Sequence, residues 1–285
     1  GRTFRSATLS TAIQHQQSGF LSCVQVRRPE GAPFYLGFEK KKQGRAFAKA
    51  AGVRVHALSE LTQHLPVLFI SPESFELLNQ GPDLRRRFLD WGAFHADPAF
   101  SDTWQQFSKV LQQRNALLKQ KAAQHSVNGW NHEFLRWAEA LNGHRKRYLD
   151  MLIPYVERAL QTMMPLEGLR IDYWQGWTEH EVLLDVLTSS YERDLRVGYT
   201  SVGPQRADLQ ISLYGLPASQ ILSRGQQKML VCALYLAQGK VLADVLKKET
   251  IYLVDDLSAE LDLEHRTQFL SQLYELKAQC FVTGI

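Results

Sequence analysis

Two short motifs with reactive side chains lie close together near the C-terminal end of this 285-residue sequence. The first is LSRGQ, residues 222–226, placed where a loop gives way to helical spacing. The first turn of a helix exposes unpaired N–H groups at the positive end of its dipole, and glycine lets an anion approach the backbone. The motif therefore predicts a phosphate site. Taken alone, it more often means an N-cap serine, Ser223, and a turn glycine, Gly225.

The second motif is IYLVDD, an apolar strand that ends in Asp255 and Asp256. An acidic pair at a strand end can hold Mg²⁺ and position water beside the γ-phosphate of a nucleotide. Taken alone, such a pair is as often simply solvated. The segment SAELD, residues 258–262, follows at once. The three motifs in this order are more specific than any one of them.

The ordered set resembles the ABC/SMC class of ATPases and, within that class, the RecF family of bacterial DNA replication and repair proteins. LSRGQQK is similar to the family's signature loop, IYLVDD to its Walker B strand and SAELD to its D-loop. Thr283, in the final FVTGI, occupies the place where ABC transporters have their switch histidine. Further segments that resemble RecF proteins are GRTFRS, SPESFELLNQGPDLRRRFLDW, LQQRNALLK and GPQRADL, so the resemblance runs from end to end.

The resemblance implies a mixed α/β fold, an ABC/SMC-like ATPase head with an inserted helical arm, that forms an ATP-dependent homodimer on DNA. Each nucleotide would lie between the P-loop and Walker B strand of one subunit and the signature loop of the other. Asp255 would bind Mg²⁺, and Asp256, the implied catalytic residue, would polarise the attacking water. The implied ATP-binding residues are Ser223, Arg224, Gly225, Gln226 and Thr283, and those along the dimer seam are Ser258, Glu260 and Asp262.

The family likeness also implies the biological setting. Such a protein acts in DNA repair, replication, recombination and the SOS response. It binds double-stranded DNA near gaps and also binds single-stranded DNA. It works with RecR and RecO and assists the loading of RecA. It is a weak DNA-dependent ATPase. A cytoplasmic location is expected, because no apolar run approaches the roughly 20 residues that span a bilayer and no leader opens the chain.

The sequence departs from the family pattern at several positions. The sequence starts at Gly1 without Met and stops at FVTGI without a polar tail, so we expect a chain truncated at both ends. No GxxxxGK[ST] occurs in it, so we expect that its N-terminal P-loop part is missing. Without the lysine and the backbone cradle of that loop, we expect poor ATP binding in cis and no hydrolysis by residues 1–285 alone. Leu68 stands where relatives can have a Q-loop glutamine. In GPQRADL, Gln205 and Ala207 replace the histidine and aspartate that are frequent in the family.

The apolar spacing predicts the elements that position these motifs. Alternation over residues 20–72 predicts a small, mostly antiparallel sheet with one short helix at 58–65. Two stripes at helical spacing predict an antiparallel helical pair; they are Trp104, Phe107, Leu111 and Leu118, then Phe134, Trp137, Leu141, Tyr148, Leu152 and Tyr155. We expect three parts: residues 1–80, the β-rich start of the head; 81–168, the helical arm with DNA and dimer contacts; and 169–285, the part with the signature and Walker B motifs.

The net charge of +4 is concentrated in the arm. Residues 81–150 hold 11 Lys and Arg against 7 Asp and Glu, and the other residues hold 22 of each. Lysines and arginines along a helical pair suit duplex DNA bound without sequence choice, although most charge on such a surface only solvates it. The candidate DNA-binding residues are Arg85, Arg86, Arg87, Lys109, Arg114, Lys119, Lys121, Arg145, Lys146 and Arg147.

The sequence also bears on three other classes of protein. The three cysteines, Cys23, Cys232 and Cys280, lie far apart, which indicates neither a zinc site nor a disulfide framework. A nucleotide-independent DNA-binding or scaffold module remains open if the P-loop is absent from the gene. An ABC-headed nuclease of the OLD type would need an additional acidic metal-binding domain, of which the sequence holds no sign.

Overall fold

The structure, a computed structural model, describes residues 8–27, 31–44, 46–55 and 58–284 and divides into two compact units. The first unit ends at Val67 and the second begins at Leu68. Leu68, Phe75 and Leu77, which precede the boundary expected at residue 80, are buried in the core of the second unit. The segment GRTFRS lies outside the described residues.

The first unit contains a four-stranded antiparallel sheet with strands in chain order. Its small core contains Val26, Leu36 and Ala50. The predicted sheet and short helix are confirmed, but the strand FAKA was not predicted, because its alanines give little β signal. The elements are β1 (Gly19–Val26), β2 (Phe34–Lys41), β3 (Phe47–Ala50), β4 (Val53–Val55) and α1 (Leu58–His64).

The strand predicted at VLFIS belongs to a different sheet. This strand, β5 (Val67–Ile70), lies beside a strand near the C-terminus in a sheet of the second unit. Leu68 and Ile70 are 2% and 0% exposed, so the strand needs an interior position, whereas the antiparallel sheet of the first unit is largely exposed. The expectation of one sheet over residues 20–72 was therefore wrong.

Helices fill the next part of the chain, and the predicted helical pair is confirmed as α4 packed against α6. The rings of Phe107 and Phe134 lie 5.3 Å apart between these helices. Trp104 was predicted on the same buried stripe but is 47% exposed. The helices are α2 (Pro72–Phe75), α3 (Pro82–Ala96), α4 (Phe100–Lys119), α5 (Gln124–Asn128) and α6 (Asn131–Met163).

The rest of the chain completes the second unit. Two short helices meet at Ser190, and the strand and helix predictions at both motifs are confirmed. The elements are β6 (Leu169–Trp174), α7 (Leu183–Ser189), α8 (Tyr191–Val197), β7 (Asp208–Leu213), β8 (Leu216–Pro217), α9 (Ala218–Ile221), α10 (Arg224–Asp244), β9 (Ile251–Val254), α11 (Leu257–Glu260), α12 (Leu263–Glu275) and β10 (Cys280–Val282).

Helix α10 is the centre of this unit. It packs against α6 and α12, and residues 229–234 along it are fully buried. Gly239 allows β9 to approach closely, because a Cβ there would overlap the Tyr252 hydroxyl. The strands form two sheets, ordered β10-β9-β5 and β6-β7-β8, and β9 and β10 run parallel. The buried helix thus fixes the start of α10 relative to the end of β9.

Candidate functional site

The carboxyl ends of β9 and β10 meet because the two strands are parallel and paired from Tyr252 with Cys280 to Val254 with Val282. The Thr283 hydroxyl donates to Asp255 Oδ1 at 2.7 Å. The same hydroxyl accepts from the Asp256 N–H at 3.0 Å. Thr283 therefore binds both members of the acidic pair, and the structure brings these three predicted residues together.

Asp256 has a left-handed backbone conformation, with φ 54° and ψ 42°. Aspartate adopts this region more readily than most residues, but it is still uncommon outside glycine. Such local strain persists where the surrounding structure holds it, as it often does at functional sites. Here the Asp256 backbone is held by Thr283 and begins α11, so the direction in which its partly exposed carboxylate leaves the chain is set by the backbone.

Oxygen ligands of the kind that Mg²⁺ prefers are available at this strand end. They are the carboxylates of Asp255 and Asp256 and the hydroxyl of Thr283. Within residues 8–27, 31–44, 46–55 and 58–284, no group of three or more His, Cys, Asp or Glu could hold a metal. This small set fits Mg²⁺, which in nucleotide sites uses one or two carboxylates and takes its remaining ligands from water and phosphates.

The signature turn, residues 223–226, begins α10 with a reciprocal cap. The Gln226 N–H donates to Ser223 Oγ at 3.3 Å, and the Ser223 N–H donates to Gln226 Oε1 at 2.9 Å. This capping box fixes the turn and confirms Ser223 as the N-cap. Ser223, Arg224 and Gln226 are exposed, so the positive end of a 21-residue helix faces solvent.

Gln227 anchors the turn from inside the protein. Its side chain accepts from Asn79 Nδ2 at 2.9 Å and donates to the carbonyls of Ser219 and Leu222, both at 2.9 Å. It is 7% exposed. Gln227 is not among the residues predicted from the sequence, where its only signal is the repeated glutamine in GQQK.

The D-loop, residues 258–262, is tied to the signature helix by Lys228. Its Nζ lies 2.8 Å from Glu260 Oε2 and donates to the Glu260 carbonyl at 2.6 Å. The Glu260 side chain is only 19% exposed. The carboxylate of Glu260, which was expected along the dimer seam, is thus paired with Lys228 of the same subunit.

Asp262 ends the D-loop as the N-cap of α12. It accepts from the His265 N–H at 3.0 Å, and its other oxygen lies 2.7 Å from His265 Nδ1. These hydrogen bonds, that from the backbone first, hold the pKa of Asp262 below its usual value. A Cβ at Gly225 would lie 3.7 Å from His265 Cε1, so the signature turn and the start of α12 are adjacent. Asp262 and Leu263 are exposed beside them.

Ser258, the remaining predicted seam residue, lies in the D-loop on the side of the acidic pair. A Cβ at Gly284 would lie 3.0 Å from its Oγ. The predicted residues thus form two groups, joined by the D-loop. One is Asp255, Asp256, Ser258 and Thr283, and the other is the signature turn with Glu260 and Asp262.

Four of the candidate DNA-binding arginines are engaged inside the protein. Arg85 makes two hydrogen bonds to Asp208, and Arg145 makes two to Asp90. Arg86 donates to the Ala207 carbonyl and pairs with Asp83. Arg114 is fully buried beside Asp194.

Two of these predictions are wrong. Arg114 and Arg145 are 0% and 3% exposed and cannot reach a phosphate at the surface. The apolar spacing could have revealed this, since Arg114 follows Phe107 by seven residues and Arg145 precedes Tyr148 by three, on the buried stripes. The candidates that are exposed are Arg87, Lys109, Lys119, Lys121, Lys146 and Arg147.

A Thr–His–Asp arrangement occurs where α4 meets α6. Thr103 Oγ1 lies 3.1 Å from His144 Nε2, and His144 Nδ1 lies 2.8 Å from Asp97 Oδ2. The order of groups is that of a hydrolase triad. Thr103 is 5% exposed and His144 7%, so no substrate reaches the hydroxyl, and the arrangement serves to fasten the two helices.

Comparisons with known proteins agree over the whole length. The family model described as the RecF/RecN/SMC N terminal domain matches residues 1–285. Two proteins named DNA replication and repair protein RecF, from Shewanella sp. (strain MR-7) and Pseudomonas putida (strain KT2440), are each 40% identical to the chain over 285 residues. These matches cover all of this chain and 79% and 78% of the relatives.

Solved structures are similar too. A structure of the recombination mediator protein RecF-ATPrS in the RecFOR pathway superposes with a TM-score of 0.88 at 26% identity, covering 99% of this chain and 79% of that one. An SMC head bound to the C-winged helix domain of ScpA has a TM-score of 0.52 at 12% identity, covering 99% and 72%, and supports the fold alone. Among the described residues, no helix is long and apolar enough to cross a membrane.

Proposed function

This chain belongs to the RecF family, and from that premise we propose that it is the ATPase part of a DNA repair protein that closes as an ATP-dependent dimer on duplex DNA. The single observation that carries the proposal is the geometry at the end of β9. There one hydroxyl, that of Thr283, binds both Asp255 and Asp256. A buried helix presents the signature turn on the same unit, tied to the intervening D-loop by Lys228.

In this proposal, Asp255 helps to hold Mg²⁺ and Asp256 orients the attacking water. A bound Mg²⁺ would neutralise charge on the phosphates of ATP. Thr283 keeps the Asp255 carboxylate in place. In the closed dimer we expect it to stand near the γ-phosphate. We give the two aspartates different roles because their carboxylates are restrained differently. Asp255 has a side-chain partner, whereas the direction of the Asp256 side chain is set by its backbone.

The signature turn acts on the nucleotide of a second copy. The proposed ATP contacts are made by residues 223–226, of which Ser223, Arg224 and Gln226 are exposed at the helix N-terminus. Gln227 and Lys228 anchor this turn to the rest of the subunit. Ser258 and Asp262 remain the proposed seam residues of the D-loop. The P-loop that holds ATP in cis would be supplied by a GxxxxGK[ST] segment, which residues 1–285 do not contain.

DNA binding is assigned to the exposed cations of the helical arm. Arg87, Lys146 and Arg147 have polar partners but keep exposed side chains, and Lys109, Lys119 and Lys121 are exposed on α4 and just after it. We keep the three-part division at residues 80 and 168 as a functional one. Duplex DNA near gaps, RecR, RecO and RecA are the proposed partners, and the proposed role is RecA loading during recombinational repair in the cytoplasm.

The test is Ser223→Arg in a full-length protein that carries a GxxxxGK[ST] segment ahead of residue 1. The large side chain should prevent ATP-driven dimerisation, measured by light scattering, and leave ATP binding by the isolated subunit nearly unchanged, because the turn acts in trans. The matched control is Ser189→Arg, an exposed serine on α7. Loss of ATP binding by the Ser223→Arg monomer would count against the assignment.

A further inference from the structure

The loop at residues 203–208, GPQRAD, is held by three arginines of other elements. Arg145 Nη1 donates to the Pro204 carbonyl at 2.8 Å, and Arg86 Nη1 donates to the Ala207 carbonyl at 2.7 Å. Arg85 closes the end of the loop through Asp208, at 2.7 and 3.0 Å. Arginines thus fasten this loop on the inside of the protein.

The same loop is braced within its own segment. Gln205 Nε2 donates to the carbonyls of Thr200 and Val202, at 3.1 and 2.8 Å. Gly203 has φ 120° and donates to the Gly176 carbonyl, and a Cβ on it would lie 2.7 Å from a ring carbon of Phe134. Residues 199–207, which we call the platform, are therefore held in one conformation in advance. A ligand bound there would cost the platform little conformational entropy.

Arg206 is the exposed cation of this platform. Its guanidinium carbon lies 4.8 Å from the centre of the Tyr199 ring, which is itself partly exposed. Over the part of the chain that the structure describes, we find no hydrogen bond or ion pair from the Arg206 side chain. The nearby carboxylates, Asp208 and Asp90, are engaged by Arg85 and Arg145. The N–H groups of Arg206 are therefore available to an anion from solvent.

Other charged groups lie near Arg206. Burial lowers the pKa of Arg86, and the charges of Arg145 and Arg206 lower it further against the opposing pull of Asp208 and Asp90. Lys146, next to Arg145 on α6, is exposed and donates to Gln175, whose neighbour Gly176 is bonded to the loop. Lys146 is therefore a second exposed cation near the platform, whereas the arginines that hold the loop are paired with carboxylates.

We propose that Arg206, stacked on Tyr199 at the surface of this platform, binds a backbone phosphate of duplex DNA. This site rests on the proposed function and adds to it a residue that was absent from the candidate DNA-binding set. A guanidinium supported on an aromatic ring keeps its planar edge free for two parallel hydrogen bonds to a phosphate. The excess of positive charge in residues 81–150, three of whose arginines hold the loop, favours a polyanion over an acidic protein.

The test is binding of a fluorescently labelled, blunt 30-base-pair duplex by the wild-type protein and by Arg206→Gln, followed by anisotropy over a series of salt concentrations. We expect the variant to bind roughly 3- to 10-fold more weakly at low salt, equally on unrelated sequences, because one charge-assisted contact is lost. The slope of log K against log salt should become shallower by about one. Unchanged thermal melting verifies the fold.

Matched variants separate the parts of the site. Tyr199→Phe keeps the ring and should bind like wild type, whereas Tyr199→Leu removes the stack and should weaken binding while the charge remains. The control is Arg170→Gln, an exposed arginine near Asp172 at the end of the β6–β7 pair away from Asp208. A loss for Arg170→Gln as large as that for Arg206→Gln would indicate general charge and overturn the proposed site.

Two further outcomes have distinct meanings. If the wild-type protein binds duplex and Arg206→Gln matches it in affinity and salt slope, the site is wrong but the proposed function stands. If in addition the variant no longer retains poly-glutamate that the wild type binds, the site serves an acidic protein and the proposal is overturned. If the wild type itself does not bind duplex under any condition, both the site and the proposed DNA-binding function fail.

Discussion

At the scale of single residues, the acidic pair after β9 consists of two identical side chains that are restrained differently. Asp255 receives the Thr283 hydroxyl at 2.7 Å, whereas the Asp256 backbone stands in a left-handed conformation. The sequence alone could predict that an acidic pair stands at a strand end, because the pair directly follows the strand in the chain. The contact of Asp255 with Thr283 could only be expected from family likeness, since it depends on the parallel pairing of two distant strands.

Asp256→Asn in the full-length protein tests the assignment of the water-orienting group. The amide has nearly the same shape but cannot accept a proton, so we expect ATP hydrolysis to fall about 100-fold or more while ATP and DNA binding are retained. Phosphate release under saturating ATP and duplex is the measurement. Asp244→Asn, the same change at the exposed end of α10, is the control. Unchanged turnover would reject Asp256 in this role.

At the scale of elements, some charged side chains join helices to one another instead of facing solvent. Arg145 joins α6 to α3 through Asp90, at 2.6 and 2.9 Å, and to the loop at 203–208 through the Pro204 carbonyl. Burial alone would lower the pKa of Arg145, but Asp90 and Tyr173 outweigh it and raise the pKa. Of the three successive basic residues 145–147, Arg145 is therefore buried, and only Lys146 and Arg147 are exposed.

Arg145→Met should destabilise the fold by about 3–5 kcal/mol, because the change leaves Asp90 without its buried partner. Arg147→Met, two residues away and exposed, should cost about 1 kcal/mol or less. The free energy of unfolding from urea titrations gives both values. If both variants lowered the free energy of unfolding by the same small amount, the buried ion pair between α3 and α6 would be contradicted.

Helical periodicity predicted the existence of α4 and α6, since their apolar stripes are long, and the helical spacing after LSRGQ predicted α10. It did not predict that Lys228 of α10 holds Glu260, because that pair spans 32 residues and forms only when the D-loop lies against the helix. Nor did it predict that β5 leaves the antiparallel sheet, since strand pairing is decided by which face of the protein can bury Leu68 and Ile70.

At the scale of the whole molecule, the predicted fold class is confirmed. The chain has a mixed α/β, ABC/SMC-type ATPase head fold and belongs to the RecF family. The sequence could reveal this because three ordered motifs and several longer segments agree over the full length. It could not reveal the compact units, because the boundary at Val67–Leu68 falls inside a strand and has no glycine- or proline-rich linker.

The central claim is that two copies close face to face, each offering its signature turn to the ATP of the other. The most direct measurement is the mass in solution, by sedimentation or light scattering, of a full-length protein that carries a GxxxxGK[ST] segment. Saturating Mg²⁺, a non-hydrolysable ATP analogue and duplex DNA should be present. We predict twice the mass of the monomer with the analogue and a monomer without it. A single subunit under saturating conditions would contradict the account.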